Sequence, residues 1–432
     1  MSEVLTTPSA RQTRVRAVRP QPLGAFPLPL GYLLIPAGPD CEQARVDLLA
    51  GRLPACWPAR LRAHELALAG DRDGALTALT ELLDADPGDV VARYNRFVLD
   101  PDSAEPAELR AALGEFGVLV DLVSFVVGRT DTAPDAAGAD AELAAVVLAA
   151  QASAALDGGD PAAAIGLLDR AAEAAAPVSA PLQGVLLSAA GAICRDTGGP
   201  GGQQRLEQAV RCLTDADGLR VARAEVHLTL AGLLHEQAAG RPELLARAVP
   251  HYHSVLQLVR REDAPVLWAT AHADLAAAYL TMPMVEASGQ LRFGVAAQSL
   301  RSALTVFTRE DHPQRWAGTQ LNLANSLIYT PSKHHADNLV EAVELYEGVL
   351  EMRDRNTDPV GRARVLANQG NALAHLGVFD RARAKLYEAR FLFEEAGDEE
   401  SVRAVRGVLD EISRQLAVRR TDTESDSSPS SD

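Results

Sequence analysis

The chain has 432 residues and a formal net charge of −17, with 58 acidic against 41 basic side chains, so it lacks the basic footprint that displaces counterions from nucleic acid. Hydrophobic residues make up 47% and aromatics only 4%. Alanine supplies much of the apolar total, and a core of such small side chains requires close helix–helix approach, which favours an all-α protein. Of the basic residues only Lys333 and Lys385 are lysine. The arginines lie scattered among acids, as codon bias in a GC-rich genome would leave them, and not as a phosphate-binding patch.

At the N-terminus Arg11, Arg14, Arg16 and Arg19 precede the apolar run PLGAFPLPLGYLLIPAGP (22–39). That is the outline of a secretory signal. However, Pro22, Pro27, Pro29, Pro36 and Pro39 break the helix such a signal needs, and no small-x-small cleavage site follows. Residues 1–40 are therefore read as an extended Pro-rich arm. Elsewhere no run of 18 apolar residues is free of charges and prolines, so no membrane insertion is expected. Cys41, Cys56, Cys194 and Cys212 form no Cys-x-x-Cys pair and are expected to be small buried apolar residues in a reducing, cytoplasmic setting.

Residues 41–129 read as an N-terminal helical module. HELALAGDRDGALTALTELLDADPGD (64–89) has the form of a helical pair, with Ala75 and Leu79 inward and Pro87 ending it. LGEFGVLVDLVSFVVGR (113–129) is apolar enough to be a buried helix, and TDTAPDAAGAD (130–140) is a linker by composition. The main array is expected over 141–418. It begins with QASAALDGGDPAAAIGLLDRAAEAAAP (151–177), which sets Ala152, Ala164, Leu168 and Ala171 in register, and continues with a pair around a glycine-rich turn at 181–216.

From residue 261 the chain repeats itself. REDAPVLWATAHADLAAAY (261–279), REDHPQRWAGTQLNLANSL (309–327) and RNTDPVGRARVLANQGNAL (355–373) align on Pro265, Pro313 and Pro359, at spacings of 48 and 46 residues. Trp268, Trp316 and Arg362 follow three residues after each proline, and Leu275–Ala276, Leu323–Ala324 and Gln369–Gly370 follow ten and eleven after it. Self-similarity at this period marks a solenoid. The last unit continues as AHLGVFDRARAKLYEARFLFEEAGD (374–398), with Gly370, Ala382, Leu386 and Ala389 at relative positions 0, 12, 16 and 19.

This pattern resembles the tetratricopeptide repeat (TPR), in which small residues at motif positions 8, 20 and 27 let two antiparallel helices cross closely. Upstream, Ala324 pairs with Ala342, Tyr346 and Val349. Ala276 pairs with Ala296, Leu300 and Ala303, and Ala231 with Ala248, Tyr252 and Val255. The 8-to-20 gap is 18, 20 and 17 in these three units against 12 in the last, so turns such as TPSKHHADN (330–338) and MPMVEASGQL (282–291) are longer than the family standard. The 64–89 unit has Arg62 at position 7, where leucine is usual, and reads as a degenerate terminal repeat. The expectation is an α-solenoid of about seven TPR-like helical hairpins. EESVRAVRGVLDEISRQLAV (399–418) forms a C-terminal capping helix, and residues 419–432 form a disordered polar tail.

Catalytic patterns fail on inspection. HELAL (64–68) and HEQAA (235–239) lack the second histidine of a zinc-protease helix, and GGPGGQQ (198–204) lacks the lysine of a phosphate loop. His251 and His253 point to different helix faces, and His334–His335 lies in a turn, so these read as solvated residues and no metal or cofactor is expected. Trp268 and Trp316 recur at one architectural position, which argues for packing over ligand stacking.

The resemblance implies a working surface on the concave face, lined by the first helix of each unit. Mapped onto the last two units, it selects Asn322, Asn325 and Tyr329, then Arg364, Asn368, Asn371 and His375. An asparagine amide both donates and accepts, so it can hold a peptide backbone without choosing its sequence. Position 5 carries Ala273, Leu321 and Ala367, and position 13 carries Thr281, Tyr329 and His375, so the basic clamp for a chaperone's C-terminal carboxylate is absent. The function expected is a non-catalytic scaffold or adaptor, not an enzyme, binding a protein or peptide. The alternatives are an accessory or assembly factor of a bacterial enzyme complex, for example a metalloenzyme such as a hydrogenase, and a peptide-sensing regulator.

Overall fold

Proline and aspartate set the helix starts. Pro39, Pro106, Pro161, Pro242, Pro265, Pro313 and Pro359 each open a helix, where a missing N–H costs nothing and φ is already helical. Asp71, Asp89, Asp160 and Asp358 cap theirs by accepting from the N–H three residues on. The computed structural model describes residues 33–139, 141–283, 288–330 and 335–426. Among them every regular element is helical.

The chain divides into two compact units, Met1–Val259 and Arg260–Asp432. The first contains α1 (Pro39–Leu49), α2 (Arg62–Leu68), α3 (Arg72–Ala85), α4 (Val90–Leu99), α5 (Pro106–Leu113), α6 (Val118–Val126), α7 (Ala141–Asp157), α8 (Pro161–Ala175), α9 (Ala180–Thr197), α10 (Gly202–Cys212), α11 (Arg220–Glu236) and α12 (Pro242–Leu258). The second contains α13 (Pro265–Thr281), α14 (Ser288–Leu304), α15 (Pro313–Tyr329), α16 (His335–Leu350), α17 (Pro359–His375), α18 (Phe379–Glu395) and α19 (Glu399–Asp426).

The helices pair as hairpins. These are α2/α3, α7/α8, α9/α10 and α11/α12 in the first unit, and α13/α14, α15/α16 and α17/α18 in the second. Within each unit successive hairpins stack side by side, with α9 on α11, α13 on α15 and α15 on α17, and α19 closes the second unit against α18. That is the α-solenoid arrangement implied by the repeat. The buried helix expected at 113–129 is α6, with Leu119, Val120, Leu122 and Val123 inward. Residues 130–139 are non-helical. α19 continues past residue 418 to Asp426, and 427–432 lie outside the described residues, as do 1–32 of the arm.

Sterics at the hairpin crossings explain the small residues. A Cβ on Gly370 would stand 2.7 Å from Leu386 Cγ and 3.2 Å from the Ala382 carbonyl oxygen. Gly191 occupies the same place in α9/α10, where a Cβ would meet Leu206 Cγ at 2.6 Å. In the other units alanines serve: Ala231 with Ala248, Ala276 with Ala296 and Ala324 with Ala342 are all fully buried. Tyr252, Leu300, Tyr346 and Leu386 fill the space beside each crossing. Trp268 and Trp316 pack beside Ala269, Ala303 and Phe307, in the structural role expected of them. Arg362 takes the equivalent place without an aromatic ring. Its guanidinium donates to the carbonyls of Leu350 (3.1 Å) and Arg353 (3.0 Å) and to Glu388 (3.2 Å).

Many of the arginines have a shared task. Arg205 pairs with Asp169 at 2.7 Å, Arg247 with Glu207 at 2.9 Å, Arg301 with Glu341 at 2.9 Å and Arg309 with Glu351 at 2.8 Å. Arg195–Glu236, Arg355–Glu395 and Lys385–Glu347 continue the series. The partners are 36 to 42 residues apart, and most of the pairs tie one hairpin to the next. Each is exposed enough that it contributes only about 0.2–1 kcal/mol.

Candidate functional site

The residues expected to line the working surface all fall on α15 and α17, first helices that stack on each other in the second unit. Asn325 and Asn368 meet directly: Asn368 Nδ2 donates to Asn325 Oδ1 at 3.0 Å. The same oxygen accepts from the Tyr346 hydroxyl at 2.6 Å. Tyr346 is fully buried in α16, and burial, with Tyr329 nearby, holds its phenol well above its ordinary pKa. It is a neutral donor that needs an acceptor, and Asn325 supplies one.

Two donors saturate Asn325 Oδ1, and this assigns both amides. Asn325 is left with its NH2 group, and Asn368 with its carbonyl oxygen. A donor and an acceptor therefore stand side by side, one from each repeat. Both residues are half-buried. Asn322 and Asn371, also half-buried, have no intramolecular hydrogen-bond partner among the described residues.

The other three expected residues are exposed and lie toward the helix ends. Tyr329, in the last turn of α15, is 59% exposed and rests on Phe293 of α14, ring centroids 5.9 Å apart. His375 ends α17. Arg364 lies nearer the start of α17, where its charge adds to the hydrogen bonds from Ser401 that hold the Asp398 carboxyl below its usual range.

Beneath this face lies a polar link that sequence reasoning missed. Gln369 replaces the leucine of the other repeats and is fully buried. Its Nε2 donates to the Val343 carbonyl at 3.2 Å and to Glu347 Oε2 at 2.6 Å, and Lys385 donates to the same oxygen at 3.3 Å. Gln369's hydrogen bond, followed by Lys385 and Arg381, pulls the Glu347 carboxyl below its ordinary pKa. The departure from leucine at position 7 was the available signal.

One histidine and one cysteine differ from expectation. His251 is not simply solvated: its Nδ1 lies 2.8 Å from His227 Nδ1 in the neighbouring helix, so one ring donates and the other accepts. Burial lowers both, His227 to about 4. His235 Nδ1 lies 3.3 Å from the Tyr252 hydroxyl. His64 is buried and bonded to the Leu34 carbonyl at 3.0 Å. His334 lies outside the described residues, and His335 is exposed at the start of α16. Cys56 is exposed, unlike the buried Cys41 and Cys194. Among the described residues no three His, Cys, Asp or Glu side chains converge as a metal site would require, and no helix is long and apolar enough to cross a membrane.

No protein-family model matches the chain, and no curated protein matches it. Solved structures similar to it include the apo form of RapI, at 13% identity and a TM-score of 0.43, over 83% of this chain and 97% of that one. The P58(IPK) TPR domain is similar at 18% identity and a TM-score of 0.26, over 83% and 97%. The APC/C hetero-tetramer Cut9–Hcn1 is similar at 12% identity and a TM-score of 0.22, over 82% and 90%.

Proposed function

We propose that this chain is a non-catalytic cytoplasmic scaffold that binds a partner protein by holding an extended segment of it across α15 and α17. The amide pair supports this most. The free NH2 of Asn325 and the free carbonyl of Asn368 match the C=O and N–H that an extended backbone presents along one edge. Asn322 and Asn371 carry hydrogen-bonding capacity that no other group among the described residues uses. Tyr329 offers an aromatic contact beside them, and Arg364 a positive charge for an acidic side chain. Backbone recognition of this kind selects for conformation, with sequence preference coming from the flanking contacts. An assembly factor for a bacterial enzyme complex and a peptide-sensing regulator are finer versions of the same reading, separated by the identity of the partner.

The test compares affinity purifications with the wild-type chain and the Asn322→Ala/Asn371→Ala double variant, read by mass spectrometry. Neither asparagine supports another group among the described residues, so the variant is expected to keep its fold, which circular dichroism checks. A partner recovered with the wild type and depleted at least roughly tenfold with the variant, as the loss of one or two hydrogen bonds predicts, supports the proposal. Equal recovery, or no reproducible partner, rejects it.

A further inference from the structure

We infer that the N-terminal module is a second peptide-binding site, occupied by the chain's own residues 33–38, and that it accepts the same segment supplied in trans. The segment is non-helical and ends where α1 begins. Leu34 is held by both of its backbone groups: its N–H donates to Asn95 Oδ1 at 2.8 Å, and Asn95 Nδ2 donates to its carbonyl at 2.8 Å. One side-chain amide can bond both groups of a residue only when they point the same way, as in an extended strand. Asn95 thus plays the part of a neighbouring strand. His64 Nε2 lies 3.0 Å from the same carbonyl, and Arg60 Nη1 donates to the Ala37 carbonyl at 3.2 Å.

In all of these bonds the module supplies side chains and the segment supplies backbone. The groups come from α2, α4 and the turn before α2, up to 61 residues away in sequence. This division of labour is that of receptor and peptide. With the segment in place His64 and Asn95 are both buried, and the Leu34 backbone supplies the hydrogen bonds that such buried polar groups require. Burial pushes His64 down to about 4. The ring is therefore neutral, with its proton on Nε2 facing Leu34, and no hydrogen bond reaches Nδ1.

Apolar contacts add a sequence preference. Leu33, Leu34 and Pro36 are buried, and Ile35 packs on Cys41, Ala44 and Leu61. Alongside runs a cavity of about 640 Å³, walled by Ile35 and Pro36 of the segment and by Val90, Val91, Leu113 and Phe116 of the module. The ligand class is an extended segment with two adjacent leucines followed by Ile-Pro.

The test uses the full chain carrying Leu34→Asp, which sets a carboxylate in a buried apolar place and so expels the segment. Hydrogen exchange over α2, α4 and α6 reports whether the module remains folded. The probe is a capped, labelled peptide of residues 33–39, LLIPAGP, titrated by fluorescence anisotropy. The variant should keep its protection and bind the peptide. The wild type should bind at least roughly tenfold more weakly, because its tethered segment competes at a millimolar effective concentration. Adding Asn95→Ala to the variant should remove binding. Three results would overturn the inference: loss of protection in the variant, which makes the segment a structural part of the module; no binding by a folded variant; or equal binding by the wild type.

Discussion

At the scale of single residues, buried polar groups make the sharpest predictions. A histidine in an unfolded chain titrates near 6.5, whereas burial lowers His64 to about 4. Between these values the unfolded chain binds the extra proton, so stability present above pH 6.5 is lost as the pH falls toward 4. The loss is about 3 kcal/mol, and it is complete below pH 4. His227 titrates in the same window, so the measurement is a comparison: denaturant midpoints from pH 7 to 4 should fall less steeply in His64→Gln than in the wild type. Asn325 offers a second case. Asn325→Ala strands the buried Tyr346 hydroxyl and should destabilise by about 1–3 kcal/mol. In Tyr346→Phe the same asparagine change should cost less, and a double-mutant cycle by urea denaturation measures the difference. Additive effects would show that the hydroxyl does not depend on Asn325.

At the scale of elements, the hairpin crossings and the ladder between hairpins can be separated. Gly370→Ala places a methyl against Leu386 Cγ and the Ala382 carbonyl, and overpacking of this kind costs about 1–3 kcal/mol. Differential scanning calorimetry should show a lower Tm, and an unchanged Tm would mean that α17 and α18 do not cross so closely. The ladder is weaker. Arg301→Glu should cost no more than about 1 kcal/mol plus the new repulsion from Glu341, and adding Glu341→Arg should restore most of the loss. The repeat could be read in advance because Pro265, Pro313 and Pro359 write helix starts and Ala276, Ala324 and Gly370 write crossings, each by a local rule. Arg362 shows where such reading stops. A break in the tryptophan pattern does not announce that a guanidinium will gather two carbonyls in its place.

At the scale of the whole molecule, stacked repeats share stability with their neighbours. Val402, Val405, Leu409 and Ile412 of α19 are buried against the core of the second unit. Ile412→Asp puts a charge there and should cost several kcal/mol, on the order of 3 or more. Hydrogen exchange should then rise most in α17 and α18 and progressively less toward α13. A uniform rise across the unit would instead indicate all-or-none unfolding. The net charge of −17 bears on partners at this scale: it disfavours strongly acidic partners over the molecule as a whole, and Arg364 adds one exposed positive charge to the asparagine face.

By itself the sequence determined the helices, their pairing into hairpins and the residues at each crossing, because these follow from contacts between helices adjacent along the chain and from helix-capping chemistry. It also indicated which face to examine, through asparagines three apart on α15 and α17. Only the tertiary structure decided what those side chains do. Asn325 and Asn368 are 43 residues apart, and Leu34 and Asn95 are 61 apart. Whether such groups meet depends on how one hairpin seats on the next and where a terminal segment comes to rest. A hydrogen bond also requires placement to within a few tenths of an ångström. Periodicity specifies a face, and packing specifies the partner.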